Sequence, residues 1–232
     1  MTNSLKVVVT KDGSHTLFVP ELNEHYHSSF GAVTESRHVF IEAGFREASR
    51  KLDRLKILEV GFGTGLNALL TLLEAEKLQK EVSYTAIEAY PLDITLVGKL
   101  NYPELQALEE YPAAFRRIHL VSWIPYPPSL ISHQQITNYF SIQKIHCSLE
   151  DYRPSSVCFD LIYFDAFAPD KQPEMWSEKI FASLSQSMVP GGILVTYCVK
   201  GEIVRRLKSL GFLTEKLPGP PGKRHMLRAI KM

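Results

Sequence analysis

Cysteine is scarce in this chain: three residues (Cys147, Cys158 and Cys198), with no CxxC pair among them. That excludes a disulfide framework or a cysteine-built zinc site as organising features. All three lie in or beside strand-like runs and are expected to be buried, inert thiols. Long apolar runs are also missing. None approaches the roughly 18–20 residues that cross a bilayer, and the stretch from Met1 to Lys6 holds no apolar signal core, so a cytoplasmic, non-membrane protein is expected. There is no internal repeat, low-complexity linker, GxSxG elbow or P-loop. His25-x-His27, with His15 or His38 as partners, brings no further ligands at metal spacing, so no metal is expected. Net charge is nearly absent too, at +1. Its distribution is uneven, however. Residues 200–232 carry nine Lys/Arg and two acids, net +7, leaving −6 for the rest. This basic segment either contacts a polyanion or forms solvated helix and loop faces.

What is present is a strand–helix alternation in an ordinary globular composition, 45% hydrophobic and 22% charged. Residues 1–50 read as an N-terminal extension. It holds a hairpin, from Lys6 to Thr10 and Thr16 to Val19 around the Asp12-Gly13 turn, and a helix from Glu35 to Arg50 capped by Thr34 or Ser36. Residues 51–232 read as the core. Strands are predicted from Lys56 to Val60, Val82 to Ala89, Tyr139 to His146, Asp160 to Asp165, Gly192 to Tyr197, Phe212 to Lys216 and His225 to Ile230. Helices are predicted from Leu66 to Lys80, Ile94 to Leu100, Glu104 to Tyr111, Trp176 to Met188 and Gly201 to Leu210. The proline-interrupted stretch from Ser122 to Gln135 reads as a surface excursion. The alternation predicts a single α/β domain, Rossmann-like, with a mostly parallel sheet and helices on both faces.

Three places carry chemistry. In Glu59-Val60-Gly61-Phe62-Gly63-Thr64-Gly65-Leu66-Asn67, a strand runs into a Gly-rich turn that opens a helix. Glycines permit positive φ and close approach of a ligand, and the helix start offers unpaired N–H groups. A dinucleotide fingerprint is GxGxxG. Here the third glycine comes one residue early, and GxGxG after an acid-ended strand matches motif I of class I S-adenosylmethionine-dependent methyltransferases. Glu59 is the expected acceptor for the cofactor's amino group, with Gly61, Phe62, Gly63, Thr64, Gly65 and Asn67 around the cofactor. Glu88, at the tip of the second strand, is placed to accept from both ribose hydroxyls, a device NAD proteins share. Asp165, opening Asp165-Ala166-Phe167-Ala168-Pro169 after an apolar strand, suits an acceptor site that binds an amine and takes its proton. The competing reading of Asp165 is a strand-end turn cap.

With these residues laid out, the sequence resembles the methyltransferases that make 5-methylaminomethyl-2-thiouridine at the tRNA wobble position. In some bacteria that enzyme is the N-terminal half of a bifunctional protein fused to an FAD-dependent oxidase; in others it stands alone. The matching stretches run from Glu59 to Asn67, Asp165 to Pro169 with Pro173-Glu174-Met175-Trp176, Pro190 to Tyr197, and Gly222-Lys223-Arg224-His225-Met226-Leu227. Tyr26-His27-Ser28, Gly31 and Glu35 match as well. The resemblance implies a class I fold with a seven-stranded sheet, S-adenosyl-L-methionine as donor, and 5-aminomethyl-2-thiouridine in the anticodon stem-loop of tRNA as acceptor. It makes Asp165 the acceptor-site acid.

The same resemblance implies substrate contacts from Tyr26, His27, Glu35, Phe167, Pro169, Trp176, Tyr197, Lys223, Arg224 and Met226. Lys223 and Arg224 would meet phosphates around a flipped base. Phe167, Trp176 and Tyr197 would wall its pocket or else pack in the core. Two departures follow. Without the oxidase domain, the chain is expected to depend on a separate wobble-uridine-modifying enzyme. Where the family has an aspartate near the adenine, this chain has Ser148 or Glu150 with Leu149 between them. The alternative within the fold is a methyltransferase, or a spermidine-synthase-like aminopropyltransferase, acting on a small amine; the basic C-terminus argues against a cationic substrate. A non-catalytic binding module is the other alternative, disfavoured by the intact Glu59, Glu88 and Asp165.

Overall fold

In the N-terminal segment two β-branched runs pair as expected. β1 (Lys6–Val9) and β2 (His15–Val19) form an antiparallel hairpin, and a short β3 (Glu24–His25) joins β2. The structure is a computed structural model describing residues 5–105, 112–128, 133–154 and 157–232. Helix α1 spans residues 32–49 and is wound as a π-helix over Arg37–Phe45. It starts three residues before the predicted Glu35, and neither Thr34 nor Ser36 caps it. Gly31 holds the cap position, and the capping oxygen comes from the hairpin turn. Asp12 Oδ2 accepts from the Thr34 backbone N–H at 2.9 Å and its hydroxyl at 2.7 Å. Asp12 Oδ1 accepts from the Ser14 N–H at 3.0 Å.

All seven predicted core strands form. They are β4 (Arg54–Val60), β5 (Glu81–Glu88), β8 (Phe140–His146), β9 (Phe159–Phe164), β10 (Met188–Thr196), β11 (Phe212–Pro218) and β12 (His225–Lys231). The stretch read as a surface excursion adds two short edge strands, β6 (Trp123–Pro125) and β7 (Gln134–Gln135), which both pair with β8. Strands this short leave no periodicity to read. The sheet order is β11-β12-β10-β9-β4-β5-β8-β6, parallel except where β12 runs antiparallel between β10 and β11 and β7 antiparallel to β8.

The helices are α2 (Leu66–Leu78), α3 (Ile94–Val97), α4 (Pro112–Leu120), α5 (Glu178–Ser187) and α6 (Gly201–Ser209). α2 stops short of the predicted Lys80 because Gln79 turns left-handed, at φ 52°. Of the helix predicted from Glu104 to Tyr111, residues 106–111 lie outside the described residues; before them Tyr102–Glu104 forms a 3₁₀ turn. α3 ends at Val97 rather than Leu100, and α4 was not foreseen. The helix predicted from Trp176 begins at Glu178, where the Ser177 hydroxyl accepts from the Ile180 N–H.

Alternation along the strands splits the core in two. Leu55, Ile57, Ile142 and Tyr163 pack toward α1, α2 and α4, with Phe40, Leu69 and Ile118. Leu58, Val60, Ile162 and Phe164 pack toward α5 and α6, with Phe181 and Ile203. The register sets the carboxyl ends level: Val60 lies opposite both Ile87 and Phe164, and Glu88 opposite His146. The chain builds outward from β4 through β5 and β8, then returns to start β9 on the other side of β4. Such a switch point opens a crevice beyond the strand ends, where ligands bind in open α/β sheets. Among the described residues no helix is long and apolar enough to cross a membrane.

Burial alone would raise the Asp12 carboxyl, but hydrogen bonds from Ser14, Thr10 and Thr34 outweigh it and bring the group down to about 2. A depressed folded pKa stabilises fully above the unfolded value and is lost as pH falls through the folded one. Asp12→Ala is therefore expected to cost about 1 kcal/mol near neutrality, or roughly 2–4 °C in Tm. The deficit should shrink in melts taken toward pH ~2. An unchanged Tm at neutral pH would show that the carboxylate does not hold this helix start.

Candidate active site

A cavity of about 590 Å³ lies beyond the carboxyl ends of β4, β5, β8 and β9, covered by the N-terminal loop 24–30 and by Gly222-Lys223. Gly61, Phe62, Gly63 and Thr64 line one side. The glycines are required by both backbone and space. Gly61 sits at φ +85°, and a Cβ there would lie 2.6 Å from the Asp165 carbonyl oxygen; one at Gly63, φ +49°, would lie 2.9 Å from the Tyr26 ring. Gly65, at φ 73°, is the N-cap of α2. Glu88 faces the cavity and is tied to the turn. One of its oxygens accepts from the Gly63 N–H at 3.0 Å and the other from the Tyr90 N–H at 2.9 Å. Burial raises its pKa, and these backbone bonds offset only part of the rise.

Glu59 is fully buried and absent from the cavity lining. It shares a strand face with Leu55 and Ile57, so its carboxyl points beneath α2. Neither of its oxygens meets full hydrogen-bond geometry, and the Asn67 Oδ1 and the Tyr84 hydroxyl are likewise unpartnered; Asn67 and Tyr84 are the polar side chains beside it, and both draw its pKa down. Burial, then the charge of Asp165, push Glu59 well above the usual carboxylate range. Asn67 donates its amide to Asp165 Oδ2 at 2.9 Å. Asp165, one residue past β9, faces the cavity. Burial and the nearby Glu35 charge raise it to about 7, against the lowering effects of the Asn67 bond and Lys223.

The other side of the cavity draws on distant parts of the chain. Glu35 of α1 is buried; it accepts from the Ser28 N–H at 2.6 Å and pairs with the Lys223 ammonium at 2.5 Å. That ammonium lies 3.9 Å above the centre of the Tyr197 ring. The Tyr197 hydroxyl donates to the Ala166 carbonyl at 2.9 Å, and Tyr26 meets Phe167 edge-on at 5.1 Å. His27 lines the cavity with a nearly buried ring whose pKa burial lowers to about 4, so it is neutral near pH 7.

Tyr26, His27, Glu35, Phe167, Tyr197 and Lys223 thus converge on the cavity, while four other predicted contacts do not. Trp176 is fully buried among Phe164, Phe181 and Tyr197, and its indole N–H donates to the Phe167 carbonyl at 2.8 Å. It fixes the loop behind the cavity instead of walling it. Met226 is fully buried on β12, Pro169 is buried behind the lining, and Arg224 is exposed outside it. Ser148, Leu149 and Glu150 all line the cavity, and the Ser148 hydroxyl donates to Asp151 at 2.7 Å.

The expectation of buried thiols holds for Cys198 alone. Cys147 and Cys158 are half-buried, and Cys147 lines the cavity just past β8, where burial pushes its thiol up to about 11. His25 stacks on Phe18, and among the described residues no group of His, Cys, Asp and Glu is placed to hold a metal. Phe30 and Gln172 line the cavity without having been anticipated, and Met175 and Gly222 line it from within the stretches that carry the resemblance. Phe30 carried a signal of its own, as an aromatic inside a Ser-Ser-Phe-Gly turn.

A family model described as S-adenosyl-L-methionine-dependent methyltransferase matches residues 132–232. The tRNA 5-methylaminomethyl-2-thiouridine biosynthesis bifunctional protein MnmC of Magnetococcus marinus is 30% identical over 226 residues, covering 93% of this chain and 32% of that protein. The MnmC of an Azoarcus species is 30% identical over 217 residues, covering 88% and 32%. The chain spans about a third of the length of these curated relatives. The crystal structure of MNMC2 from Aquifex aeolicus superposes with a TM-score of 0.76 at 23% identity, covering 98% of this chain and 72% of that one. The chain has the class I S-adenosyl-L-methionine-dependent methyltransferase fold, and its residues 132–232 match that family's model. Over most of its length it is similar to one part of the MnmC proteins of tRNA 5-methylaminomethyl-2-thiouridine biosynthesis.

Gly61→Ala tests the turn. The new Cβ would meet a backbone oxygen at 2.6 Å in a left-handed conformation, so the turn must move. Calorimetry with S-adenosylhomocysteine should show a Kd weaker by roughly 5- to 150-fold, since a strained residue costs of order 1–3 kcal/mol. Unchanged affinity would place the cofactor away from Gly61.

Proposed function

We propose that the chain moves the methyl group of S-adenosyl-L-methionine to the aminomethyl nitrogen of 5-aminomethyl-2-thiouridine at the tRNA wobble position. The observation that carries this reading is Asp165: a carboxyl raised to about 7, held by Asn67, facing a cavity bounded opposite by the Gly-rich turn and Glu88. The names of the MnmC relatives supply the nucleoside. A wobble-uridine-modifying enzyme that exposes the amine must act first, in the cytoplasm where tRNA is matured. The N-terminal segment and the core work as one domain in this reading, because Glu35 and Lys223 close the same cavity.

The residues present suit the donor. Glycines at 61 and 63 keep side chains out of the space beside the turn, and Glu88 is available to ribose hydroxyls. Leu149 with Ser148 or Glu150 borders the adenine, and the orphaned polar atoms of Glu59 and Asn67 lie at the turn's base. When bound, the sulfonium supplies an electrophilic methyl group. The amine's lone pair forms the new C–N bond while the C–S bond breaks and its electron pair goes to sulfur. An amine bound as ammonium cannot attack, so its proton must leave first. Ionised Asp165 accepts that proton, and Tyr197 and Phe167 flank the base. Orientation supplies most of the rate in such a displacement.

Two measurements test the assignment. Labelled methyl donor, incubated with tRNA from cells lacking this enzyme, should yield 5-methylaminomethyl-2-thiouridine on nucleoside analysis. Unlabelled tRNA together with intact cofactor binding would direct attention to a small-molecule amine. Asp165→Asn should lower kcat roughly 10²–10⁴-fold with little change in cofactor Kd; parallel loss of cofactor binding would move Asp165 into the cofactor site. In the wild type kcat/KM should rise with pH through about 7, as Asp165 ionises. Stability should move the other way. A raised carboxyl binds its proton more tightly when folded, so its contribution falls as pH climbs from the unfolded value to about 7. Asp165→Asn should therefore melt higher than wild type at pH ~8.

A further inference from the structure

Phe30 stands 42% exposed at the cavity mouth, yet its loop is held on every side. The Lys11 N–H donates to the Ser29 carbonyl at 3.0 Å, the Gly31 N–H to the Ser28 carbonyl at 3.1 Å, and the Phe30 N–H to the Ser28 hydroxyl at 3.2 Å. Gly222, at φ +86°, lets the C-terminal loop close on the ring; a Cβ there would fall 2.5 Å from a ring carbon. The Lys11 ammonium sits 3.9 Å over the ring centre. Arg224 is exposed two residues past Gly222. Asp12, packed against Gly31 of this loop, has its oxygens engaged by Thr10, Ser14 and Thr34. An exposed aromatic on a fixed loop, with a cation on its face and a second exposed cation on the loop packed against it, suits a nucleobase face with adjoining phosphates.

We infer that Phe30 is the stacking platform for the nucleotide adjacent to the one in the cavity, with Lys11 and Arg224 meeting its phosphates. The inference rests on the tRNA reading above. An extended strand that places one base in the cavity leaves it at this mouth. The neighbouring base stacks on Phe30 as the flexible Lys11 side chain swings from the ring to the phosphate.

The test is anisotropy titration of a labelled anticodon stem-loop RNA with the full chain. Phe30→Leu should weaken binding about 5- to 100-fold, the range of a lost base–aromatic stack, and Phe30→Trp should bind about as well as wild type. Lys11→Met should flatten the salt dependence by about one phosphate contact. Binding of S-adenosylhomocysteine by each variant reports that it is folded. If wild type binds the RNA and Phe30→Leu binds equally well, the platform is wrong and the tRNA reading stands. If wild type itself binds no RNA, the tRNA reading fails and the platform with it. A role in packing alone would make Leu as good as Trp.

Discussion

Asn67 reaches from the first turn of α2 to the end of β9 and donates its amide to Asp165, and that bond spans the crevice where the sheet reverses direction. Two acids lie beside it, one buried in the core and one lining the cavity. Glu59 lies fully buried beneath the turn with neither oxygen in full hydrogen-bond geometry, and Asp165 lies above it beside Glu35. Carboxylates this close cannot all stay ionised in a low-dielectric site. Glu59 therefore favours its neutral form, Asp165 titrates near neutrality, and Glu35 is matched by Lys223. One site thus holds a neutral acid, a titrating acid and an ion pair. Such separation by environment assigns roles to chemically similar groups.

The loop carrying Asp165 is fixed from several directions. The Asp165 N–H donates to the Val60 carbonyl, the Tyr197 hydroxyl to Ala166, and the Trp176 indole to Phe167. The Arg206 guanidinium in turn donates to the Trp176 carbonyl at 2.6 Å. Each bond ties a different strand or helix to one short loop, so the carboxylate's position is set by the core and not by the loop alone. The same logic applies on the roof, where Asp12 organises the start of α1 and thereby places Glu35 over the site.

Much of this was legible in the residues. Parallel strands buried on both faces leave apolar runs, and the GxGxG turn between β4 and α2 announces a ligand at that edge. Asp165 and Glu88 were legible because strand-end acids sit where the crevice must be. Where side chains lie away from the place the pattern suggests, the origin is direction and distance. Pattern places Glu59 at a strand end, but the two-residue alternation of β4 sends its side chain beneath α2. Trp176 and Met226 belong to informative motifs, yet they serve those motifs from inside the core. The Asp12 cap acts across the chain and leaves no local signature. α4 has three buried side chains, Ala114, Phe115 and Ile118, too few to stand out against its charged neighbours.

The cluster at the crevice can be tested by titrating Asp165 itself. With the aspartate side-chain carboxyl carbons labelled with ¹³C, the resonance absent from an Asp165→Asn sample identifies the group, and its shift is followed against pH. A midpoint near 7 is expected, moving when Glu35→Gln removes the neighbouring charge. A midpoint near the 3.8 of an ordinary aspartate, insensitive to Glu35, would show that Asp165 is simply ionised and solvated. The coupled acid site would then be wrong at its centre.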